Sequence, residues 1–330
     1  MATIKDVAEK AGLSVTTVSR FLNNHPYISD DKREKILSAM KALDYEPSTA
    51  AQQMRGVKSQ RIGVLISRIT NPFFASLVDA LESTARKNGY SVLIVQNHNS
   101  PGEEKNCLDL LKKKIIDGLI LCAVESEPQV IEEYQKYGPI LLCNAGSENS
   151  MLPAVRVDDR SATYHAIHYL IAKGYRHIAY STGGGFQQKG HGSRRNSGFL
   201  TAMKEAGLTV NEEWLFRHQH TYQDGQSIAR EILQMPQRPD AIFAGSDEVA
   251  CGIISTLTAN GLRVPENIAV VGFDNLPVAE MLNIPLTTVS QPIAALGKVS
   301  AEYLLALIHG QKYQYDAALL KPELVIRQSA

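Results

Sequence analysis

The sequence predicts a small all-α headpiece followed by a two-lobed, doubly wound α/β core. Three observations lead there. Residues 1–45 carry short helical patterns separated by tight turns. From Arg61 onward, apolar runs alternate with amphipathic stretches, as strand–helix–strand repeats do. The chain has 330 residues, 44% of them hydrophobic, which exceeds one ordinary domain and is ample for a large core.

The first elements read as a helix-turn-helix. Thr3 and Asp6 are spaced as a capping box, opening a helix that runs to about Ala11. Ile4, Val7, Ala8 and Ala11 share one face, and Gly12 suits the helix end. Ser14 caps a second helix from Val15 to about Leu22, with Val18 and Leu22 inward. Two helices joined by a glycine-bearing turn of about three residues fit the helix-turn-helix pattern. The second helix turns Val15, Thr16, Ser19 and Arg20 outward. Arginine can pair with guanine, and valine or threonine methyls can meet a thymine methyl. Ser29 is expected to cap a third helix to about Leu43, whose Lys32, Arg33 and Lys35 suit phosphates. Residues 46–60 form a polar linker with Pro47 and Gly56. On pattern alone, residues 1–45 also fit a plain helical bundle.

The core runs are Ile62–Ser67, Ser91–Gln96, Gly118–Ala123, Ile140–Asn144, Ala154–Val157, Ile178–Ser181, Ala241–Ala244 and Ile268–Phe273. They are continuous rather than alternating, as expected of parallel strands buried on both faces. Amphipathic stretches such as Phe74–Asn88 and Ser161–Lys173 lie between them. Too many strands arise for one comfortable sheet, so two lobes dividing near residue 160 are expected.

Charge and composition narrow the function classes. The chain carries 34 basic and 34 acidic residues, a formal net of zero, which argues mildly against nucleic-acid binding by the whole surface. Its distribution differs: residues 1–61 sum to +3, the remainder to −3. Cys107, Cys122, Cys143 and Cys251 are far apart in apolar surroundings and read as buried thiols, with no zinc spacing. No apolar signal core opens the chain and no apolar run is long enough for a membrane span, so a soluble cytoplasmic protein is expected. Gly183-Gly184-Gly185 lacks the dinucleotide-binding spacing. Asp158 and Asp159 are neighbours in sequence, not a catalytic pair. With no nucleophile–base pairing, metal cluster or cofactor loop, an enzyme is not expected.

A resemblance joins these parts. "TIKDVAEKAGLSVTTVSRFLNN" and "DKREKILSAMKALDYEPSTAAQQMRG" are similar to the DNA-binding headpiece of the LacI/GalR family of transcriptional regulators. The likeness continues through "NPFF", "DGLIL", "GYRHIAY", "RRNSGF", "PDAIFAGSDEVA", "GLRVPENIAVVGFDN" and "LTTVSQP", over essentially the whole chain. It implies that Val15, Thr16 and Arg20 read bases in the major groove. Thr3, Thr17, Ser19, Asn23 and Ser29 fall at phosphate-contact or capping positions. Residues 48–56 match a hinge helix that folds on DNA and pairs with its dimer mate. Here Met54 stands where a wedging leucine is usual, and Ser48 where asparagine is common. Methionine is apolar and long enough to wedge into a base step, though more flexible.

The core resembles periplasmic sugar-binding proteins, with a ligand cleft between two lobes. Family cleft positions hold Asn71, Phe73 and Phe74, then Asp158, Lys189, His191 and Arg195, then His220, Asp247, Asp274 and Gln291. Aromatic faces stack on a sugar's C–H face, while Asp, Asn and Arg hydrogen-bond its hydroxyls. Lys189, His191, Arg194 and Arg195 form a basic cluster that would also suit a sugar phosphate. The expected organisation is therefore a headpiece over residues 1–45, a hinge over 46–60 and a ligand-binding, dimerising core over 61–330. The expected function is a ligand-controlled repressor of carbohydrate-utilisation genes that binds operator DNA as a homodimer, without cofactor or metal. The closing "LVIRQSA" has no leucine heptads, so a dimer rather than a tetramer is expected. A sugar sensor without DNA function is the alternative.

Overall fold

The computed structural model describes residues 2–22, 25, 27–45, 58–146, 150–186 and 192–330. The chain divides into two compact units, Met1–Ser59 and Gln60–Ala330.

The first unit holds α1 (Ile4–Ala11), α2 (Val15–Leu22) and α3 (Asp30–Ala42). The capping box forms: Thr3 N–H donates to Asp6 Oδ2 at 2.7 Å, and Asp6 N–H donates to Thr3 Oγ1 at 3.4 Å. Gly12 ends α1 in the left-handed region at φ 66°, which its missing Cβ permits. Ser14 Oγ accepts from Thr17 N–H at 3.1 Å and so caps α2. Ser29 stands at the start of α3, but its side chain makes no capping bond. Asp30 and Asp31 in the first turn meet the helix dipole instead. Val7, Ala8, Val18, Ile36 and Ala39 form the buried centre.

The second unit opens with the first lobe: β1 (Arg61–Ile66), α4 (Pro72–Lys87), β2 (Ser91–Gln96), α5 (Pro101–Lys112), β3 (Gly118–Leu121), α6 (Pro128–Glu132), β4 (Ile140–Cys143) and β5 (Ala154–Val155). The chain then crosses to the second lobe: α7 (Asp159–Ala172), β6 (Ile178–Ser181), α8 (Ser193–Glu205), β7 (Leu215–Phe216), α9 (Tyr222–Gln234), β8 (Ala241–Phe243), α10 (Asp247–Ala259), β9 (Ala269–Asp274), α11 (Val278–Met281) and β10 (Thr287–Ser290). It returns at Gln291, and α12 (Ile293–Ile308) packs on α4, β3 and β4 of the first lobe. A third crossing places β11 (Glu323–Val325) in the second sheet. The sheets run β2-β1-β3-β4-β5 and β11-β10-β9-β8-β6-β7; β11 is antiparallel to β10 and the other pairings are parallel. All four cysteines are buried thiols.

Two expectations change. The apolar run of β2 is not buried on both faces; β2 is an edge strand and leaves Leu93 and Ile94 37% and 43% exposed. The strands β7, β10 and β11 were not among the apolar runs. β7 and β11 are only two and three residues long, and β10 is the polar Thr-Thr-Val-Ser. Thr287 and Thr288 are nevertheless fully buried. Their hydroxyls are satisfied: Thr288 donates to Asp247, and Thr287 Oγ1 accepts from Arg327 N–H at 2.9 Å.

Glycines set how closely α9 and α10 approach. A Cβ on Gly225 would lie 2.1 Å from the Val249 carbonyl oxygen, and one on Gly252 would lie 2.1 Å from that of Tyr222. Backbone therefore packs on backbone from both sides. Gly225→Ala should force the helices apart and destabilise the second unit by about 3 kcal/mol, the upper end for overpacking. Urea denaturation checks this; a midpoint equal to wild type would contradict the packing account.

Candidate functional site

Two surfaces carry chemistry, one in each unit. In the first, α2 leaves Val15, Thr16 and Arg20 exposed, where a duplex could reach them. Ser19 is half-buried. Thr17 Oγ1 lies 2.9 Å from Ser14 Oγ, and the Thr3 hydroxyl donates to Asp6 at 2.9 Å, so both belong to the helix caps. Ser29 is exposed at the start of α3. Arg33 lies over the Phe21 ring at 5.6 Å, and Lys32 is exposed beside it. Asn23, Ser48 and Met54 lie outside the described residues.

In the second unit, a cavity of about 660 Å³ opens between the lobes, a size usual for small-molecule sites. The first lobe brings Asn71, Phe73 and Phe74 to it from the start of α4. Asn71 Oδ1 caps that helix by accepting from Phe73 N–H at 2.9 Å. The two phenylalanine rings meet edge to face at 5.3 Å. The second lobe brings Arg195, His220 and Asp274, and Gln291 arrives on the second crossing. The Arg195 guanidinium lies 4.6 Å from the centre of the Phe273 ring, and its Nη1 donates to the Gly245 carbonyl at 2.7 Å. That locks its plane. Asp274 is buried and accepts from Gln291 Nε2 at 2.7 Å. Burial and the nearby Asp247 push its carboxyl well up, against the pull of Arg195 and Gln291. Burial, then the Arg68 charge, lowers the His220 imidazole from its usual value.

Two predicted cleft residues sit elsewhere. Asp158 caps α7, accepting from Ser161 N–H at 3.1 Å, and its exposed side chain lies 3.7 Å from Arg194. Its neighbour Asp159 lines the cleft instead; burial raises its pKa against Arg195 and Arg194. Asp247 is buried inside the second lobe, behind the cleft. It accepts from Leu276 N–H at 2.7 Å and from the Thr288 hydroxyl. Lys189 and His191 lie outside the described residues. Asn144, which ends the β4 run and carries no sequence motif, also lines the cavity. Across the lobes, Arg68 pairs with Glu248 at 3.0 Å and donates to the His220 carbonyl. Among the described residues, no cluster of His, Cys, Asp or Glu could hold a metal, and no helix is long and apolar enough to cross a membrane.

Known proteins share this arrangement. Residues 3–48 match the model for bacterial regulatory proteins of the lacI family. Residues 59–322 match the model for periplasmic binding proteins and the sugar-binding domain of the LacI family. The chain belongs to the LacI family. It is 35% identical over 330 residues to the NTD biosynthesis operon regulator NtdR of Bacillus subtilis, covering all of both chains. It is similar to a LacI family transcriptional regulator from Lactobacillus casei with bound glucose, at TM-score 0.77 and 38% identity over 82% of this chain and 99% of that one. A lac repressor dimer bound to operator and an anti-inducer matches at TM-score 0.80 and 28% identity, over 99% and 98% of the two chains. This LacI-family chain is accordingly a DNA-binding transcriptional regulator and not an enzyme.

Asp247 gives this LacI-family core a pH dependence. Burial pushes its carboxyl from 3.8 up to about 7. Folding therefore favours the protonated form. The stability due to that proton is complete below about pH 4 and lost as pH rises through about 7. Melting temperature should fall between about pH 5 and about pH 8, and fall less in Asp247→Asn. Equal slopes in the two proteins would contradict the assignment.

Proposed function

We propose that this regulator represses carbohydrate-utilisation genes in the cytoplasm, and that a sugar or sugar phosphate held between the lobes sets its affinity for operator DNA. The observation that carries the reading is the cleft. It combines an aromatic pair, a clamped arginine and buried or half-buried carboxylates in a volume that fits a sugar. In this reading Asn71, Phe73, Phe74, Arg195, His220, Asp274 and Gln291 contact the ligand, joined by Asp159 and Asn144. Lys189 and His191 would supply the positive charge that a phosphate needs.

Residues 1–45 act as the headpiece, 46–60 as the hinge and 61–330 as the core. Val15, Thr16 and Arg20 read bases; Thr3, Thr17, Ser19, Asn23, Ser29 and Ser48 position the backbone; Met54 wedges at the centre of the site. Two headpieces on a pseudo-palindrome require a dimer. The exposed edge strand β2, with Leu93 and Ile94 outward, supports self-association. The match of residues 3–48 to a DNA-binding model speaks against a sensor without DNA function.

Three outcomes test the reading. Arg20→Ala should cost about 2 kcal/mol of preference for operator over random DNA, the scale of one base contact, while leaving ligand binding intact. Fluorescence anisotropy with both DNAs reads this, and unchanged preference counts against base readout. In thermal-shift assays of the full chain, at least one member of a panel of sugars and sugar phosphates should raise the melting temperature. Indifference to all of them removes the sugar reading. Arg195→Ala should abolish that rise and spare DNA binding; an undiminished rise would show that the cleft is not the site.

A further inference from the structure

Four segments of chain meet at the floor of the cleft, and one line of hydrogen bonds runs through them. Val157 N–H, on the first crossing, donates to Asn144 Oδ1 at 3.1 Å. Asn144 Nδ2 donates to Gln291 Oε1 at 3.2 Å. Gln291 Nε2 donates to Asp274 Oδ1 at 2.7 Å. Asn144 follows β4 in the first lobe, Gln291 lies on the second crossing, and Asp274 ends β9 in the second lobe.

The backbone fixes the direction of the chain. A peptide N–H can only donate, so Asn144 must present its carbonyl oxygen to Val157 and its amine to Gln291. Gln291 must then present its own oxygen to Asn144 and its amine to Asp274. Every link points the same way and the last ends on a carboxyl group. Links in such a chain polarise one another, so a change at one end is felt at the other.

Both ends are placed for coupling. Val157 is held by both lobes: its N–H by Asn144 of the first, and its carbonyl by Arg194 Nη2 of the second at 3.1 Å. Asp274 faces the cavity from a turn in which two successive non-glycine residues have left-handed backbones, Asp274 at φ 117° and Asn275 at φ 56°. Such a conformation persists only where its surroundings hold it. Asn275 supplies that hold, donating to Ser290 Oγ at 3.2 Å and accepting from Arg327 Nη2 at 2.8 Å. The turn therefore grips the second crossing at both Ser290 and Gln291.

We propose that Gln291 is a positioning residue that passes the engagement of Asp274 in the cleft, through Asn144, to the first crossing at Val157. This rests on the reading that the effector occupies the cleft. A ligand hydroxyl or amine docking on Asp274 competes with Gln291 for the same carboxyl group. The Gln291 link then shifts, and with it the hold of Asn144 on Val157, the residue that both lobes grip.

Amide hydrogen exchange on the full chain, resolved at Val157 by NMR, tests this without any effector. Gln291→Glu takes away the amide N–H that donates to Asp274 and sets a second carboxyl group against it, while keeping an acceptor for Asn144. Exchange at Val157 should accelerate about tenfold, with the amides of β9 and α10 unchanged. Gln291→Leu, which adds no charge, should give the same loss. In Gln291→Glu combined with Asp274→Asn, the new amide donates to the new carboxylate, and protection should return to within about twofold of wild type. Rescue from the cleft end is not expected of a residue that merely fills space. Wild-type protection of Val157 in Gln291→Glu or Gln291→Leu, or a double variant no better than Gln291→Glu alone, overturns the proposal. Such a failure leaves sugar binding in the thermal-shift assay untouched, whereas loss of the cleft reading would appear in that assay alone.

Discussion

Asp274 is a carboxyl group taken almost wholly out of water, and the second lobe is arranged to keep it there. An isolated buried carboxylate is expensive, and it persists only when charge and hydrogen bonds compensate. Arg195 supplies the charge, held flat by the Phe273 ring and the Gly245 carbonyl. Gln291 supplies the hydrogen bond. Asp247 works against both, since a second buried carboxyl raises the first. Yet Asp247 is needed where it is: it ties the start of α10 to Leu276, just beyond the turn that presents Asp274. The cleft thus stores unfavourable electrostatics in a frame of favourable bonds. A ligand that offers donors to Asp274 relieves part of it.

The headpiece solves a different problem. Its apolar centre is small, so local bonds matter more. The reciprocal Thr3–Asp6 cap, the left-handed Gly12 and the Ser14 cap together fix where α1 stops and α2 begins. Those choices decide which residues of α2 face outward. Arg20 is available to DNA because Val18 is not. In the proposed function the modest positive excess of residues 1–61 serves orientation and phosphate contact, while base edges carry the specificity.

Much of this was legible in the sequence, for identifiable reasons. Strands buried on both faces leave continuous apolar runs, so β1, β3, β4, β6, β8 and β9 could be read directly. The same logic located β2 at Ser91–Gln96 but overstated its burial, because an apolar run does not say whether the neighbouring space is filled. It missed β10, whose buried threonines look polar until Asp247 and Arg327 are seen to satisfy them. In the cleft, Asn71, Phe73, Phe74, Arg195, His220, Asp274 and Gln291 fell at positions that the resemblance marked. The confusion of Asp158 with Asp159 is one of helix phase: at the start of α7 one carboxylate turns back to cap the helix and the next faces the cavity. Asp247 has the residue type of a ligand contact but spends its oxygens inward. Asn144 carries no motif, and only the meeting of four distant segments gives it a role.

In the proposed function, cleft and DNA-reading face report on one equilibrium. Linkage makes that claim exact: the factor by which a ligand changes operator affinity must equal the factor by which operator changes ligand affinity. Calorimetric titration of a sugar that raises the melting temperature, performed on the free protein and on the protein saturated with operator, measures the second factor directly. The two ligand affinities should differ, and by the same ratio as the operator affinities with and without ligand. Identical ligand affinities in the two titrations would contradict it.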